Sequence, residues 1–402
     1  RLARKWQHGF AARGRNSRNP DERVIPSNAK GSEVVTDLNP SIILSGIGLT
    51  RTVRENALET LRHSLYHTKP LIRATLYNST RLPLVKQTLR RWQGSFAIFC
   101  MHRVLPDEQV ISDISPNRNL VLRKSRFSEM LEFLSSKYRV VSLDKLVDHL
   151  QKGSKEFVVC LTFDDGYSDI MYHALPILEQ FNCPATIYVT TRFPEGDTSM
   201  WWYELWEYLK SKEWLEVEFE GARRIWDCSD QSLKNQCYFD LNSWMMMLPM
   251  ERQKALIAVL TETEERQSYS HICLSWDEII KLDRHPLVTI GAHSHSHPTL
   301  STENEATARD EILNSKLLLE RRLGHSVDHF AYPIGSTQQA GKREYRLAEE
   351  CGFRTASTTN CFRADFSHRF QLPRYGITEK TTPAILVNRI GGLSNLFRLQ
   401  LA

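Results

Sequence analysis

Two short runs of this 402-residue chain hold side chains that could bind a metal ion and move protons beside it. In the first, Val158-Val159-Cys160-Leu161-Thr162-Phe163 leads directly into Asp164-Asp165-Gly166. An apolar run of this length predicts a buried strand, which places two adjacent carboxylates at its C-terminal tip. Neighbouring residues on a strand point to opposite sides, so one carboxylate can ligate a metal while the other faces a reacting water. Asp-Gly alone is most often only a turn, and the pair gains meaning from a second cluster. That cluster is Gly291-Ala292-His293-Ser294-His295-Ser296-His297-Pro298, again directly after a strand-like run. Histidines at alternate positions suit imidazole coordination of a borderline metal such as zinc. A helical turn here would put His293 and His297 on one face and send His295 elsewhere. Two imidazoles and one carboxylate leave coordination positions open for water and substrate, as a catalytic site requires. The carboxylate is Asp164 or Asp165.

The elements that must position these groups alternate short apolar runs with helical stretches. Strands are expected at Phe96 to Met101, Phe157 to Phe163, Ala185 to Val189, Val288 to Ala292, His329 to Ala331 and Arg354 to Ser357. Helices are expected at Arg126 to Lys137, Asp169 to Phe181, Asn304 to Leu323 and Lys342 to Cys351. Repeated βα units imply a mostly parallel sheet closed or nearly closed into a barrel, whose strand ends are where functional side chains gather. Residues from about 200 to 272, rich in Trp, Leu, Lys and Glu, read as a helical insertion. It opens with Trp201, Trp202, Tyr203 and Trp206, which suit core packing first and stacking on sugar faces second. Ser275 and Glu278 have the spacing of a capping box, and Leu317-Leu318-Leu319 reads as core.

The motifs carry a family resemblance. Leu161-Thr162-Phe163-Asp164-Asp165-Gly166-Tyr167, the H-S-x-x-H of His293 to His297, and Phe330-Ala331-Tyr332-Pro333-Ile334-Gly335 resemble the polysaccharide deacetylase family, the NodB-homology or carbohydrate esterase family 4 group. The resemblance covers about Gly94 to Thr378. It implies an α/β fold, a distorted (β/α) barrel with a helical insertion, and a hydrolase that removes N-acetyl groups from amino sugars. Carried over residue by residue, it implies that Asp165, His293 and His297 bind a divalent metal, zinc the expected one, and that Asp164 is the general base. The metal would polarise the amide carbonyl and bring the pKa of bound water towards about 7. Backbone N–H groups after Gly166, with Tyr167 the candidate, would hold the oxyanion, and a histidine would protonate the leaving amine.

The chain also departs from the family pattern. No histidine follows Thr378, where a Leu-x-His commonly supplies the acid. His102, at the end of the first strand, resembles the N-terminal Tyr-His motif of a subgroup and is taken as the acid, with His368 the rival. Tyr332 stands where an arginine commonly precedes the proline, and Arg374 is the candidate to orient Asp164 instead. Weaker substrate contacts are assigned to Tyr167, Tyr332, Trp202 and Arg374. The expected substrate is an N-acetylglucosamine-containing glycan. The alternatives are an O-acetyl esterase, a non-sugar amidase, or a non-catalytic glycan-binding module, though a binding module needs no base beside the metal.

Composition bounds the rest. A chain that is 41% hydrophobic and 25% charged is globular rather than fibrous or wholly disordered. The net charge of +5 is N-terminal: residues 1–93 hold 17 Lys and Arg against 6 Asp and Glu, and the remainder is slightly acidic. A nucleic-acid partner is therefore not expected, whereas the basic segment could touch an anionic membrane surface. Residues 1–50 read as a disordered basic arm, 51–93 as an amphipathic helical segment, 94–380 as the barrel and 381–402 as a C-terminal tail. The eight cysteines form no C-x-x-C pair and read as buried thiols. With no run of about 18 apolar residues and no well-formed signal peptide, a cytoplasmic or peripheral membrane location is expected.

Overall fold

The structure is a computed structural model that describes residues 94–109, 111, 118–197, 199–265 and 267–391. The basic arm and amphipathic segment lie outside the described residues. No helix among the described residues is long and apolar enough to cross a membrane.

Seven strands pair in parallel in the order Thr355–Ser357, His329–Ala331, Val288–Ala292, Ala185–Val189, Val158–Phe163, Phe96–Met101, Arg374–Gly376. The short Arg139–Val140 strand pairs off this path with Val158–Val159. The ends of the row meet. Leu372 donates its N–H to the Ala356 carbonyl, and Thr358 donates to Leu372, each at 2.9 Å, so the sheet is a nearly closed barrel.

Side-chain parity divides the core. Ala97, Phe99, Met101, Val159, Leu161, Phe163, Ile187 and Ile290 face the outer helices and form the larger apolar cluster. Phe96, Ile98, Cys160, Tyr188, Ala331 and Leu372 form a separate cluster inside the barrel. The interior parity continues from Ile98 to Cys100 and His102, from Cys160 to Thr162 and Asp164, and from Leu372 to Arg374. Strand alternation thus delivers the polar groups to one end of the barrel. Gly291 is required beneath this layer, because a Cβ there would lie 2.6 Å from the Tyr188 ring.

The expected strands and helices around the site form with small shifts at their ends. The Ser275–Glu278 capping box is present. Two details differ. The insertion is not all helical: between helices Trp201–Lys210 and Gln231–Met245 it folds a hairpin, Trp214–Phe219 with Ala222–Asp227. Leu215, Val217 and Phe219 are buried while Trp214, Glu216 and Glu218 are exposed, a period of two that specifies a strand, and Glu220 and Gly221 make the turn at positive φ. Leu319 is core, but Leu317 faces out at 47% exposure, because residues two apart on a helix cannot share a face. Seven of the cysteines are buried, Cys361 is partly buried, and all are free thiols.

Candidate active site

The two adjacent carboxylates do not split to opposite sides of the sheet. Asp164 follows the strand's interior parity, and Asp165 leaves the strand with a left-handed φ of 72°, which turns its side chain back to the same end of the barrel. Its Oδ1 is buried without a hydrogen-bond donor and lies 3.4 Å from Nε2 of both His293 and His297. Burial pushes the Asp165 carboxyl up, but the two imidazoles outweigh it and hold it well below the usual carboxylate range.

His293 and His297 meet without a helical turn. The loop between them is kept open by left-handed residues, Ser294 at φ 63° and His297 at φ 63°, and Ser294 Oγ accepts the His297 N–H at 3.0 Å. The two rings sit edge to face with centroids 5.0 Å apart. Nδ1 of His293 lies 2.8 Å from the Ala331 carbonyl, which fixes the tautomer with Nδ1 protonated and turns Nε2 towards Asp165. His295 points elsewhere and bonds Thr191 Oγ1 at 2.8 Å.

Beside this triad stands Asp164, gripped by Arg374. Nη1 donates to Oδ1 at 2.6 Å and Nη2 to Oδ2 at 2.9 Å, a paired contact in which the arginine side chain has no exposure. Burial pushes the Asp164 carboxyl up, but Arg374, aided by His293 and His102, draws it down to about 2. Cys100, whose thiol is kept protonated by burial, donates Sγ–H to Oδ2 at 3.2 Å. His102 Nε2 lies 3.9 Å from the same oxygen, and its buried Nδ1 has no partner. Burial lowers the His102 pKa, against the opposing pull of Asp165 and Asp164.

The remaining sequence candidates divide. Tyr167 is fully buried beneath the Arg103 guanidinium, 4.8 Å from its ring centre. Its bridge to Cys273 is flanked by Ser168 N–H to Ile272 O and Leu274 N–H to Gly166 O, a pattern that directs the Tyr167 N–H away from that strand. Trp202 does not form an open stacking platform. It is buried in an edge-to-face contact with His297, ring centroids 5.3 Å apart. Tyr332 is a core residue whose hydroxyl donates to the Phe370 carbonyl at 2.9 Å, so its assignment to substrate is corrected. Arg374, buried against Asp164, likewise has no face for substrate. His368 bonds Asp365 at 3.0 Å and packs on Phe362, apart from the site.

Sequence reasoning missed Cys100 and Asp169. Asp169 is buried, and its carboxylate accepts the Val104 N–H at 2.9 Å and Arg103 Nε–H at 2.7 Å, gripping the two residues that follow His102. No local pattern marked it: Asp169 precedes the π-helix Ile170–Ala174, and the residues three and four positions on, Tyr172 and His173, are not buried.

The family model described as polysaccharide deacetylase matches residues 151–217 and 242–356, the stretches that carry Asp164, Asp165, His293 and His297. The chain belongs to the polysaccharide deacetylase family. This deacetylase is a hydrolase, and its chemistry is the deacetylation of a polysaccharide. The unmatched residues 218–241 fall across the hairpin turn, its second strand and the helix beyond. Among solved structures, the deacetylase is similar to Streptococcus pyogenes deacetylase PplD in complex with acetate, at 18% identity over 74% of this chain and 99% of that one, with a TM-score of 0.49. It is also similar to IcaB from Ammonifex degensii, at 17% identity over 75% of this chain and 98% of that one, with a TM-score of 0.48. No curated protein sequence matches it.

Proposed function

We propose that this deacetylase removes N-acetyl groups from N-acetylglucosamine units of a polysaccharide, with Asp165, His293 and His297 holding a divalent metal, zinc foremost. The observation that carries this reading is the convergence of Asp165 Oδ1 and the two imidazole Nε2 atoms on one point, beside a second carboxylate that takes no part in it.

The donor set suits the ion. One carboxylate oxygen and two nitrogens are zinc-type ligands, and the Ala331 carbonyl orients His293 through Nδ1. The buried, undonated Asp165 oxygen is an orphan that a cation would satisfy. A divalent cation there supplies Lewis acidity to the acetyl carbonyl and to water.

The chain's own groups supply the proton chemistry. Asp164, held ionised by Arg374, accepts the proton of the attacking water. His102, directly after the neighbouring strand Phe96–Met101, delivers a proton to the departing amine, the role that the resemblance to the subgroup with an N-terminal acid implies. The Tyr167 amide offers a donor for the oxyanion. The buried Trp202 ring walls the site at His297 and limits access of bulk water.

Acetate release and product mass, measured on N-acetylglucosamine oligomers of several linkages with added divalent metal, test the reading against the Asp164→Asn variant. Acetyl loss by the wild type alone supports it. Metal binding without acetyl loss, followed by turnover of an O-acetylated panel, would replace the amide by an ester.

A further inference from the structure

We propose that Glu311 is the positioning residue that sets the separation of the two histidine ligands. The inference rests on the metal reading above and concerns a residue outside the triad, the base and the acid.

Glu311 lies on the helix Glu305–Leu323 and is buried, at 6% exposure. Its Oε2 accepts the backbone N–H of His295 at 3.0 Å and of Ser296 at 2.7 Å. These are two of the three residues between His293 and His297. Five other backbone groups of the loop are also taken. Thr190 Oγ1 donates to His293 O at 3.0 Å, Thr191 N–H to Ser294 O at 3.3 Å and Arg192 N–H to His295 O at 3.0 Å. His293 N–H donates to Val189 O at 2.9 Å, and His297 N–H to Ser294 Oγ at 3.0 Å. Strand-side groups therefore hold the loop's carbonyls, and Glu311 holds the amides at its crest. Among the described residues, it is the one side chain seen to accept the crest amides from the helix layer.

That grip has mechanical work to do. Ser294 and His297 both occupy left-handed φ, a conformation that non-glycine residues keep only when their surroundings over-determine it. Buried amides left without an acceptor would seek water or a different loop conformation. Either response rotates His297, which follows Ser296 directly, away from Asp165 and His293. The carboxylate thereby converts a loop preference into a fixed distance between two ligands.

The experiment compares zinc affinity, by chelator competition on the full chain, for wild type, Glu311→Gln and Glu311→Met, alongside metal-free thermal unfolding and far-ultraviolet circular dichroism. Gln retains an acceptor oxygen at the same reach, whereas Met fills the space and accepts nothing. Glu311→Met should bind zinc about 10- to 100-fold more weakly, the range for lost outer-shell partners, and Glu311→Gln should recover most of that loss. Equal affinity for wild type and Glu311→Met would overturn the inference. If Glu311→Met does not fold, Glu311→Gln and Glu311→Asp decide it: Asp is too short to reach the crest and should bind more weakly than Gln, and equal affinities would overturn the proposal. Wild type that binds no zinc would instead sink the metal reading itself.

Discussion

Arg374 and Asp164 are 210 residues apart in sequence and joined by two parallel hydrogen bonds of 2.6 and 2.9 Å, with the guanidinium sealed from solvent. The pair fixes both the orientation and the ionisation of the proposed base. Arg374→Lys replaces a planar fork by a point charge and cannot reproduce the paired geometry. The expected result is a fall in kcat of about 10- to 100-fold with zinc still bound, a magnitude typical of a lost supporting partner. Arg374→Ala leaves a buried carboxylate without its partner and should destabilise the fold by about 3–5 kcal/mol, read by denaturant unfolding.

The same pair makes a pH prediction. As the proposed base Asp164 must work as the ion, so activity should be lost as pH falls through its pKa, and Arg374 holds that pKa at about 2. With Lys in place of Arg374, the Asp164 contribution to the acid limb of kcat/KM should move to higher pH. The stability sign agrees. A carboxyl depressed by folding stabilises above its unfolded pKa of about 3.9 and loses that contribution as pH falls through its folded value. An unchanged acid limb in Arg374→Lys, in a variant that still turns over, would remove Arg374 from this role.

The two aspartates should separate cleanly. Asp165→Ala and His297→Ala are expected to lose zinc, measured by metal content after dialysis. Asp164→Asn is expected to keep zinc and lose turnover. Zinc loss from Asp164→Asn with retention in Asp165→Ala would exchange their roles.

For the acid, His102→Ala should slow turnover by about 100- to 10,000-fold, the range for general acid catalysis, without changing zinc content. His368→Ala should leave both unchanged, since its ring is engaged with Asp365 and Phe362. Asp169→Asn weakens the clamp on Arg103 and Val104 and should lower kcat through His102 while KM and zinc content hold. A loss of zinc in Asp169→Asn would indicate a general structural role instead.

Tyr332→Phe supplies a contrast. Removing a hydroxyl bonded to the Phe370 carbonyl should cost about 1 kcal/mol of stability and leave KM unchanged. A raised KM at full stability would return Tyr332 to the substrate.

What the sequence made legible was local. A buried apolar strand followed by two carboxylates, and histidines at alternate positions after another strand, announce themselves because the relevant neighbours are adjacent in the chain. Arg374 is different. Its strand, Arg374–Gly376, has only three residues and lacks an apolar run, so nothing local marked it as part of the barrel, although its place opposite Asp164 was inferred from a vacancy in the third motif. The hairpin was hidden by Trp, Glu and Lys composition, though the alternation in Trp214–Phe219 carried the period-two signal. Spacing of four would put His293 and His297 on one face of a helical turn, and here it is met instead by a loop with two left-handed residues. Glu311 left a fainter trace. It shares the helix's buried face with Ala308, Ile312, Ser315 and Leu319, where a charged residue needs a buried partner, but its partners are backbone amides that no sequence pattern displays.

The barrel's closure has a consequence for biosynthesis. Asp164, Asp165, His102, His293 and His297 leave the ribosome before the Arg374–Gly376 strand, which pairs with Phe96–Met101 and completes the ring. A nascent chain halted before Arg374 would hold the proposed ligand set and the proposed base, yet lack the cation that keeps Asp164 charged in a dry interior. On the proposed roles, hydrolytic competence would arrive with the last barrel strand, and an incompletely synthesised barrel would remain chemically silent.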